Sequence, residues 1–410
     1  MNLIGFASAF TESQASAPVF QPRLFPSPCC FIRVRLRMNR PVLVIGGGVA
    51  GAVCALRLRQ HGFEVHLAEK ASFPRAKICG CCLGGTGLSV LELVDLKSWV
   101  LEHGETIDSW IGSLGGQRVE ISTPDGVAIS RERLDTEMLD RVRNSGVIVH
   151  CPVTATVDSL ESDFVTVRLC DSNAVETTME YELVVVASGL NAAGANRLLP
   201  WTESPHGPFG TSFFANTCNF PRGTIGMAVD QDGYVGVVCL EDGRLDVAAA
   251  LVSGSVAQSA GRPLERTLAI LERSSLSLGH VTPISEVMVT PPLRRNRLAG
   301  IQRLAAIGDA SGYVEPFTGE GMTWGMMSGY EIADRIAHSR GQLEKFGDQW
   351  CKHQRQLLAS RRRNCRLLTT LLQSSFARSC AGHLLSRLPI LAKPITSKLG
   401  RPWQPSKLGA

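Results

Sequence analysis

The 410-residue chain is notable first for what it lacks. No stretch approaches the roughly 18 consecutive apolar residues of a membrane-spanning helix, so we expect no transmembrane anchor. The thirteen cysteines are an odd total without repeated spacing, which disfavours a disulfide framework and suits a reducing compartment. Residues 349–410 contain no aspartate or glutamate but twelve lysines or arginines. These absences predict a cytoplasmic globular protein with one strongly basic end.

Residues 1–37 show no sustained helical or strand periodicity. Polar residues 11–14 interrupt the early apolar stretch, so a secretory signal is disfavoured, and Met38 stands directly before the first convincing strand. We expect 1–37 to be disordered or a spurious extension, with an organellar transit peptide as the alternative.

The first strong pattern begins at Pro41. A four-residue apolar strand at 42–45 leads into glycines, a helix with an apolar face and a second strand at 63–68, which together form one βαβ unit. The glycines fill the GxGxxG pattern of a dinucleotide site, and an acid follows the second strand, where it can bind ribose hydroxyls. The predicted cofactor-binding residues here are Gly46, Gly48, Val49, Ala50, Gly51, Glu69 and Lys70. An acid at position 69 disfavours NADP, but the motif alone leaves FAD and NAD both open.

A second glycine-rich segment follows a buried strand at 304–307. Asp309 can accept a hydrogen bond from a polyol hydroxyl, and the predicted helix beginning near Gly321 offers free backbone donors to a developing anion. The further predicted cofactor residues are Gly308, Gly319, Gly321 and Met322. Taken alone, this segment is equally compatible with an ordinary loop and helix start.

The remaining pattern predicts an α/β protein. We expect a Rossmann-type FAD-binding domain of the glutathione reductase-like kind at 38–204 and 296–345. A β-rich substrate domain is predicted at 205–295, and a basic helical segment at 346–410. Within the first domain, 134–142 has the period of an amphipathic helix, and 183–187 has that of a buried strand.

Four motifs in a fixed order resemble the flavoproteins of the p-hydroxybenzoate hydroxylase-like fold, and within them the geranylgeranyl reductase-like branch. They are the glycine turn with Glu69, the run 73–80 (FPRAKICG), the run 131–135 (RERLD), and Gly308-Asp309 with 316–321 (PFTGEG). The resemblance spans about residues 40–345. It implies FAD, with the ribityl chain near Asp309, the ring against 316–322 and Arg131 beside the flavin.

Two departures narrow the resemblance. The hydroxylases of the family usually carry an Asp-Gly pair after a later strand, but serine occupies the acidic position at Ser188-Gly189. The related halogenases carry a WxWxIP signature, which this chain lacks, so halogenation is disfavoured. No second GxGxxG is present either, so reductant must come from transiently bound NAD(P)H or from a protein electron carrier.

The run Cys79-Gly80-Cys81-Cys82 allows several interpretations. No further Cys or His pair at metal-ligand spacing follows nearby, which disfavours zinc or iron–sulfur binding. Structural packing, substrate contact and a redox dithiol remain open. The resemblance implies that Cys79 lies close to the flavin, and it is our candidate catalytic residue.

The basic end has two interpretations. It is either a helix with a solvated basic face packed on its own domain, or a peripheral surface that contacts anionic lipid. Nucleic acid is not expected, because no aromatic or sequence motif supports it. The leading functional hypothesis is reduction of C=C bonds in a lipophilic, isoprenoid or polyketide-like substrate by hydride transfer from reduced FAD. Monooxygenation of a similar substrate and electron transfer to a partner protein are the alternatives.

Overall fold

The computed structural model describes residues 40–191, 193–202, 206–216, 219–252, 262–314, 317, 319–339 and 341–406. The prediction for 1–37 lies outside these residues.

The strands in these segments are β1 (Val42–Ile45), β2 (Val65–Ala68), β3 (Cys82–Leu83), β4 (Glu105–Leu114), β5 (Gln117–Ala128), β6 (Ile148–His150), β7 (Val153–Leu160), β8 (Val165–Asp171), β9 (Glu176–Tyr181), β10 (Leu183–Val186), β11 (His206–Asn216), β12 (Thr224–Asp230), β13 (Gly233–Cys239), β14 (Leu245–Leu251), β15 (Thr282–Pro283), β16 (Met288–Asn296), β17 (Gly300–Ile301), β18 (Leu304–Ala306) and β19 (Gly312–Tyr313). The α-helices are α1 (Val49–Gln60), α2 (Gly85–Glu92), α3 (Lys97–His103), α4 (Arg131–Asn144), α5 (Pro263–Glu272), α6 (Gly321–His338), α7 (Phe346–Gln373), α8 (Ser375–Arg387) and α9 (Lys393–Leu399).

The first sheet has six strands in the order β17-β18-β10-β1-β2-β6, and its central strands pair in parallel. Every residue of β1 is buried, as a strand covered on both faces requires. Val42 and Val44 pack in the cluster with α1, α4 and α6, whereas Leu43 and Ile45 pack toward the three-stranded sheet β7-β8-β9. The predicted Rossmann-type domain is confirmed.

Helix α6 crosses α1 at very close range. A Cβ added at Gly329 would lie 2.3 Å from the carbonyl oxygen of Ala50, so a side chain there would force the two helices apart. Glycine on this face therefore brings the α6 N-terminus close to the start of α1. The N-termini of α1 and α6 therefore lie at the same edge of the six-stranded sheet.

The second sheet is larger and runs β19-β16-β11-β14-β13-β12-β4-β5-β3. The expected β-sheet in the 205–295 region is present. The hairpin of β4 and β5, which the sequence analysis did not predict, extends this sheet because β4 pairs in parallel with β12. The proposed domain boundaries remain a prediction, since strands from 105–128 share the sheet with strands from 206–251.

The C-terminal helices follow the second β-sheet. Helix α7 contacts β17 and β18 of the first sheet, and α8 contacts β4 and β5 of the second. Both therefore pack on the body of the protein. No helix in the described part of the chain combines the length and apolar character needed to cross a membrane.

Candidate active site

A cavity of about 870 Å³ lies where the two sheets and the C-terminal helices meet. It has a polar arm along the glycine turn and an apolar arm against the second sheet. The following predicted site residues line it: Gly46, Gly48, Val49, Ala50, Glu69, Lys70, Cys79, Arg131, Gly308, Asp309, Gly319, Gly321 and Met322. The structure thus gathers residues separated by more than 270 positions into one site.

The glycine turn forms the base of the polar arm. Gly46 has a φ of +114°, which a residue with a side chain rarely adopts, and it turns the chain out of β1. Gly51 lies beneath the turn and does not line the cavity: its added Cβ would lie 1.9 Å from the Gly46 carbonyl oxygen. Helix α1 starts after Gly48 with no capping side chain, so its first backbone N–H groups are available to a bound anion.

Glu69 stands at the end of β2, and only 5% of its surface is exposed. Its carboxylate accepts hydrogen bonds from the backbone N–H of Gly47 and of Ala71, both at 2.8 Å. These two donors fix the carboxylate at the rim of the glycine turn. Its position suits acceptance of a hydrogen bond from a ribose hydroxyl.

Three cationic side chains converge over Gly48. A Cβ added there would lie 3.6 Å from Arg75 Nη2, 3.7 Å from Lys77 Nζ and 3.8 Å from Arg131 Nη2. Burial lowers the pKa of Lys77, and the charge of Arg131 lowers it further. An anion held at this point would relieve that repulsion. The glycine cradle and its three cations therefore fit the diphosphate of a dinucleotide such as FAD.

Arg131 is fixed by a buried carboxylate. Its guanidinium donates two hydrogen bonds of 2.8 Å to the two oxygens of Asp135, one turn along α4. Burial alone would lower the pKa of Arg131, but Asp135 and Cys79 outweigh it and raise the pKa. Arg75 also approaches Asp135, at 3.5 Å. One carboxylate thus orients two of the three cations over the turn.

Gly308 and Asp309 occupy the end of the strand next to β10. Gly308 has a φ of +55°, and its N–H donates to Ser328 Oγ of α6 at 2.9 Å. Burial raises the pKa of Asp309, while the charges of Lys77 and Arg131 oppose that rise. Asp309 lines the cavity beside the α6 N-terminus. Of the predicted ring-binding segment, positions 316 and 318 lie outside the described residues.

Helix α7 braces this cofactor loop. Arg361 pairs with Glu320 at 2.6 Å, and Arg362 Nη2 donates to the Gly312 carbonyl oxygen at 2.8 Å. Burial lowers the pKa of Arg362 to about 10. Part of the basic run at 361–363 therefore points inward, so only some of the predicted basic face is available to solvent.

The cysteine run places one thiol beside Arg131. The N–H of Cys81 donates to Cys79 Sγ at 3.4 Å, and Arg131 forms a side-chain hydrogen bond with the same sulfur. The side-chain hydrogen bond from Cys81, together with the charge of Arg131, lowers the pKa of Cys79 to about 6 despite burial, which opposes the shift. Cys79 is therefore a stabilised thiolate that lines the cavity.

On the opposite side of Cys81 lies a buried acid, Asp246 of β14. It is 3% exposed, its Cys81 neighbour is within hydrogen-bonding reach, and its side chain lines the cavity. Among the residues that the structure describes, its Oδ2 has no hydrogen-bond partner. Burial raises its pKa well above the ordinary range, and the negative charge of Cys79 adds to the rise. Burial therefore favours the protonated form of Asp246, whose side chain lines the cavity although its Oδ2 is itself buried.

The apolar arm is built by the second sheet and the C-terminal helices. Its lining includes Trp110, Ile121, Met227, Tyr234, Leu368 and Leu372. These side chains come from β4, β5, β12, β13 and α7. Their composition suits a lipophilic molecule.

Sequence reasoning did not single out four side chains of the site: Arg75, Lys77, Asp135 and Asp246. The first three lie inside the quoted runs 73–80 and 131–135, so the charged residues of each run were an available signal. Asp246 had a weaker signal, as the one acid inside the otherwise apolar strand Leu245–Leu251.

Comparisons with known proteins agree with this geometry. The profile of the NAD(P)-binding Rossmann-like domain family matches residues 44–82, which contain the glycine turn and the cysteine run. The chain is 24% identical over 343 residues to the digeranylgeranylglycerophospholipid reductase of Methanosarcina acetivorans, covering 77% of this chain and 80% of that protein. It is also 24% identical over 321 residues to a menaquinone reductase of Mycobacterium tuberculosis, covering 73% and 76%.

Solved structures share the fold over most of the chain. A flavoprotein/dehydrogenase from Cytophaga hutchinsonii superimposes with a TM-score of 0.71 at 17% identity, covering 88% of this chain and 96% of that one. A flavin-dependent brominase gives a TM-score of 0.73 at 16% identity, covering 88% and 93%. Together with the cofactor cradle, these likenesses indicate an FAD-dependent oxidoreductase, and they confirm the resemblance to flavoproteins of the p-hydroxybenzoate hydroxylase-like fold and to their geranylgeranyl reductase-like branch.

Proposed function

We propose that this enzyme reduces C=C bonds of a lipophilic substrate, isoprenoid or polyketide-like, with hydride from reduced FAD. The observation that carries the proposal is the two-armed cavity. Its polar arm fits the dinucleotide, and its apolar arm continues from the predicted ring position between the second sheet and α7. A substrate in the apolar arm would meet the cofactor at the junction, where Cys79 and Asp246 also lie.

Reduction of a C=C bond adds a hydride to one carbon and a proton to the other. Bound reduced FAD supplies the hydride, and the protein must supply the proton. Asp246 suits that role because burial raises its pKa, which favours the protonated form, and because its side chain lines the cavity. After donation, the charge left on Asp246 lies next to the Cys79 thiolate, which favours reprotonation from solvent. The negative charge of Cys79 raises the pKa of Asp246, whereas the hydrogen bond with Cys81 and the positive charge of Arg244 lower it.

The relatives support a reductase. Two relatives, covered over 80% and 76% of their own length, are named as reductases of a digeranylgeranylglycerophospholipid and of menaquinone, both of which carry isoprenoid chains. Transient NAD(P)H or a protein carrier would reduce the flavin, because the sequence has no second GxGxxG. We place the enzyme in the cytoplasm, in keeping with the free thiols of the cysteines that the structure describes.

A monooxygenase is the second candidate. Flavin-dependent halogenases are among the structural neighbours. The apolar side chains of the second arm would also limit the contact of a bound flavin with water. An electron-transfer flavoprotein is a third interpretation, and turnover that depends on a second protein would support it.

The test uses the purified, flavin-loaded chain, reduced by dithionite without oxygen and then mixed with digeranylgeranylglycerophospholipid or menaquinone. A reductase reoxidises its flavin with substrate alone, and the product gains two hydrogens by mass spectrometry. The menaquinone product is exposed to air before analysis, because oxygen reverses reduction of the quinone ring, whereas a reduced C=C bond keeps its two hydrogens. A monooxygenase instead requires oxygen, and its product gains one oxygen atom. If the flavin is reoxidised by neither route, both proposals are overturned for these two substrates. The same assay would then be repeated with polyketide-like polyenes.

A further inference from the structure

The C-terminal helices have a second apolar face, which points away from the cavity. Seven large apolar side chains of α7, α8 and the turn after α8 are between 47% and 78% exposed, and we call them the C-terminal patch: Leu367, Leu371, Phe376, Leu384, Leu388, Ile390 and Leu391. Only five other large apolar side chains in the described residues are similarly exposed, and they are scattered from 101 to 289. The seven side chains fall within 25 consecutive residues on two contacting helices and the turn that follows, and a concentration of exposed apolar side chains of this kind marks an interaction surface.

Every aspartate, glutamate, lysine or arginine position in the C-terminal segment is basic. Residues 349–410 contain twelve lysines or arginines and no acid. Exposed cations border the patch at Arg363, Arg366, Arg387 and Lys393, and within the described residues none of these four forms an ion pair. An occupant of this surface must therefore offer both an apolar phase and negative charge.

A second copy of the chain fits these charges poorly. A symmetric dimer through the patch would bring the same unpaired cations together, because a two-fold interface places each surface against itself. A bilayer with anionic headgroups meets both requirements at once. Apolar side chains enter the boundary of headgroups and acyl chains, and arginine or lysine binds the phosphates.

The patch also adjoins the substrate arm. Leu368, Leu372 and Leu385 face the cavity, whereas their sequence neighbours Leu367, Leu371 and Leu384 face solvent. The same two helices thus form the cavity wall on one side and the exposed patch on the other. A lipid leaving a bilayer beneath the patch would reach the apolar arm past these helices without crossing bulk water.

We propose that α7, α8 and the following turn dock on an anionic lipid bilayer and admit the lipid substrate from it. The second part of this statement rests on the proposed function; the docking itself does not. Docking can be measured without turnover, so its failure and the failure of the reductase proposal are distinguishable.

The test is flotation of the flavin-loaded full chain with vesicles. The protein should bind vesicles containing phosphatidylglycerol, bind those of pure phosphatidylcholine much more weakly, and be released by salt. Arg363→Gln with Arg366→Gln should weaken binding roughly thirtyfold. Leu371→Ser with Phe376→Ser should weaken it at least about tenfold.

Val175→Ser is the matched control, because Val175 is 59% exposed but lies in the β8–β9 turn. It should bind as the parent does. The flavin absorbance and melting temperature of each variant show that it remains folded. All variants should reduce detergent-dispersed substrate at the parental rate, since none of the changed side chains lines the cavity.

A second measurement uses Cys380, which is exposed on α8. An environment-sensitive dye attached there should shift to shorter wavelength when phosphatidylglycerol vesicles are added, and Cys380→Ser removes that part of the signal. Absence of vesicle binding, equal binding of the patch variants and the parent, or a dimer in sedimentation that the patch variants convert to monomer would each overturn the proposal.

Discussion

The two arms of the cavity are built in opposite ways. The polar arm uses backbone groups and charges from short, contiguous runs: the glycine turn, 73–80, 131–135 and 308–322. The apolar arm collects single side chains from five or more elements between 105 and 400. A diphosphate imposes the same backbone geometry on any chain that binds it, whereas an apolar pocket needs only volume and shape.

This contrast predicts how each arm fails. In the polar arm, a change of one atom at a fixed backbone position should abolish cofactor binding. In the apolar arm, single changes should weaken substrate binding or stability by graded amounts, because many side chains share the contact. We call Cys79, Cys81 and Asp246 the seam between the two arms. Substitutions at the seam should change the rate of the chemical step with little effect on cofactor binding or substrate binding.

The largest expected effect is at the glycine turn. Gly51→Val places a side chain against the Gly46 carbonyl oxygen, where even a Cβ would lie 1.9 Å away. We expect a loss of about 3 kcal/mol or more in the free energy of unfolding and no retained flavin. Flavin absorbance after gel filtration and thermal melting measure both. Gln60→Val is the control, because it places the same side chain at the exposed end of the same helix, outside the cavity. A flavin-replete Gly51→Val protein would contradict the close packing.

Next is the seam acid. Asp246→Asn removes the buried proton but keeps the shape and an amide donor. We expect the rate of substrate reduction to fall about a hundredfold or more, with flavin content and melting temperature close to parental. In single-turnover experiments the reductive step with dithionite should be unchanged, while reoxidation by substrate slows. Reoxidation at the parental rate would exclude Asp246 as the proton donor.

A neighbouring pair of leucines tests the wall of the apolar arm. Leu372 is 9% exposed and lines the cavity, whereas Leu371 is 59% exposed and belongs to the C-terminal patch. Leu372→Ala should lower the free energy of unfolding by about 2 kcal/mol and raise the KM for substrate. Leu371→Ala should have little effect on the free energy of unfolding or on the KM. Denaturant unfolding and steady-state kinetics separate the two, and equal effects would mean that α7 does not form the wall.

The same contrast explains what the sequence could reveal. The βαβ unit, helix α6 and the residues of the polar arm were predictable because their spacing reflects a backbone requirement, as at Gly46 and Glu69. Hairpin β4–β5 was missed: its parallel pairing with β12 joins segments more than 100 residues apart, which no local period records. Arg361 and Arg362 were taken for part of a surface face, because a charge run does not show which member turns inward to pair with Glu320 or a carbonyl.

Asp246 illustrates a third case. Its strand has the apolar pattern of a buried element, and its acid looks like an isolated exception. Only the tertiary fold places it against Cys81, and burial then decides its protonation state. Function at this seam thus depends on an environment made by residues at 79–82 and 246 together.

The smallest expected effect concerns the thiolate at this seam. Cys81→Ala removes the thiol that hydrogen-bonds Cys79, so the pKa of Cys79 should rise from about 6 toward its ordinary value of 9.0. In the parent, alkylation of Cys79 should increase with pH through about 6 and level off above neutrality, since the thiolate is the reacting form. In Cys81→Ala the rise should move to higher pH, with about tenfold slower alkylation at pH 7. Mass spectrometry of the labelled peptide isolates Cys79 from the other cysteines. Cys81→Ser keeps a donor and should resemble the parent. If both variants titrate like the parent, Arg131 and the backbone N–H of Cys81 would stabilise the thiolate without the Cys81 side chain, and the link from Cys79 through that side chain to Asp246 would be broken.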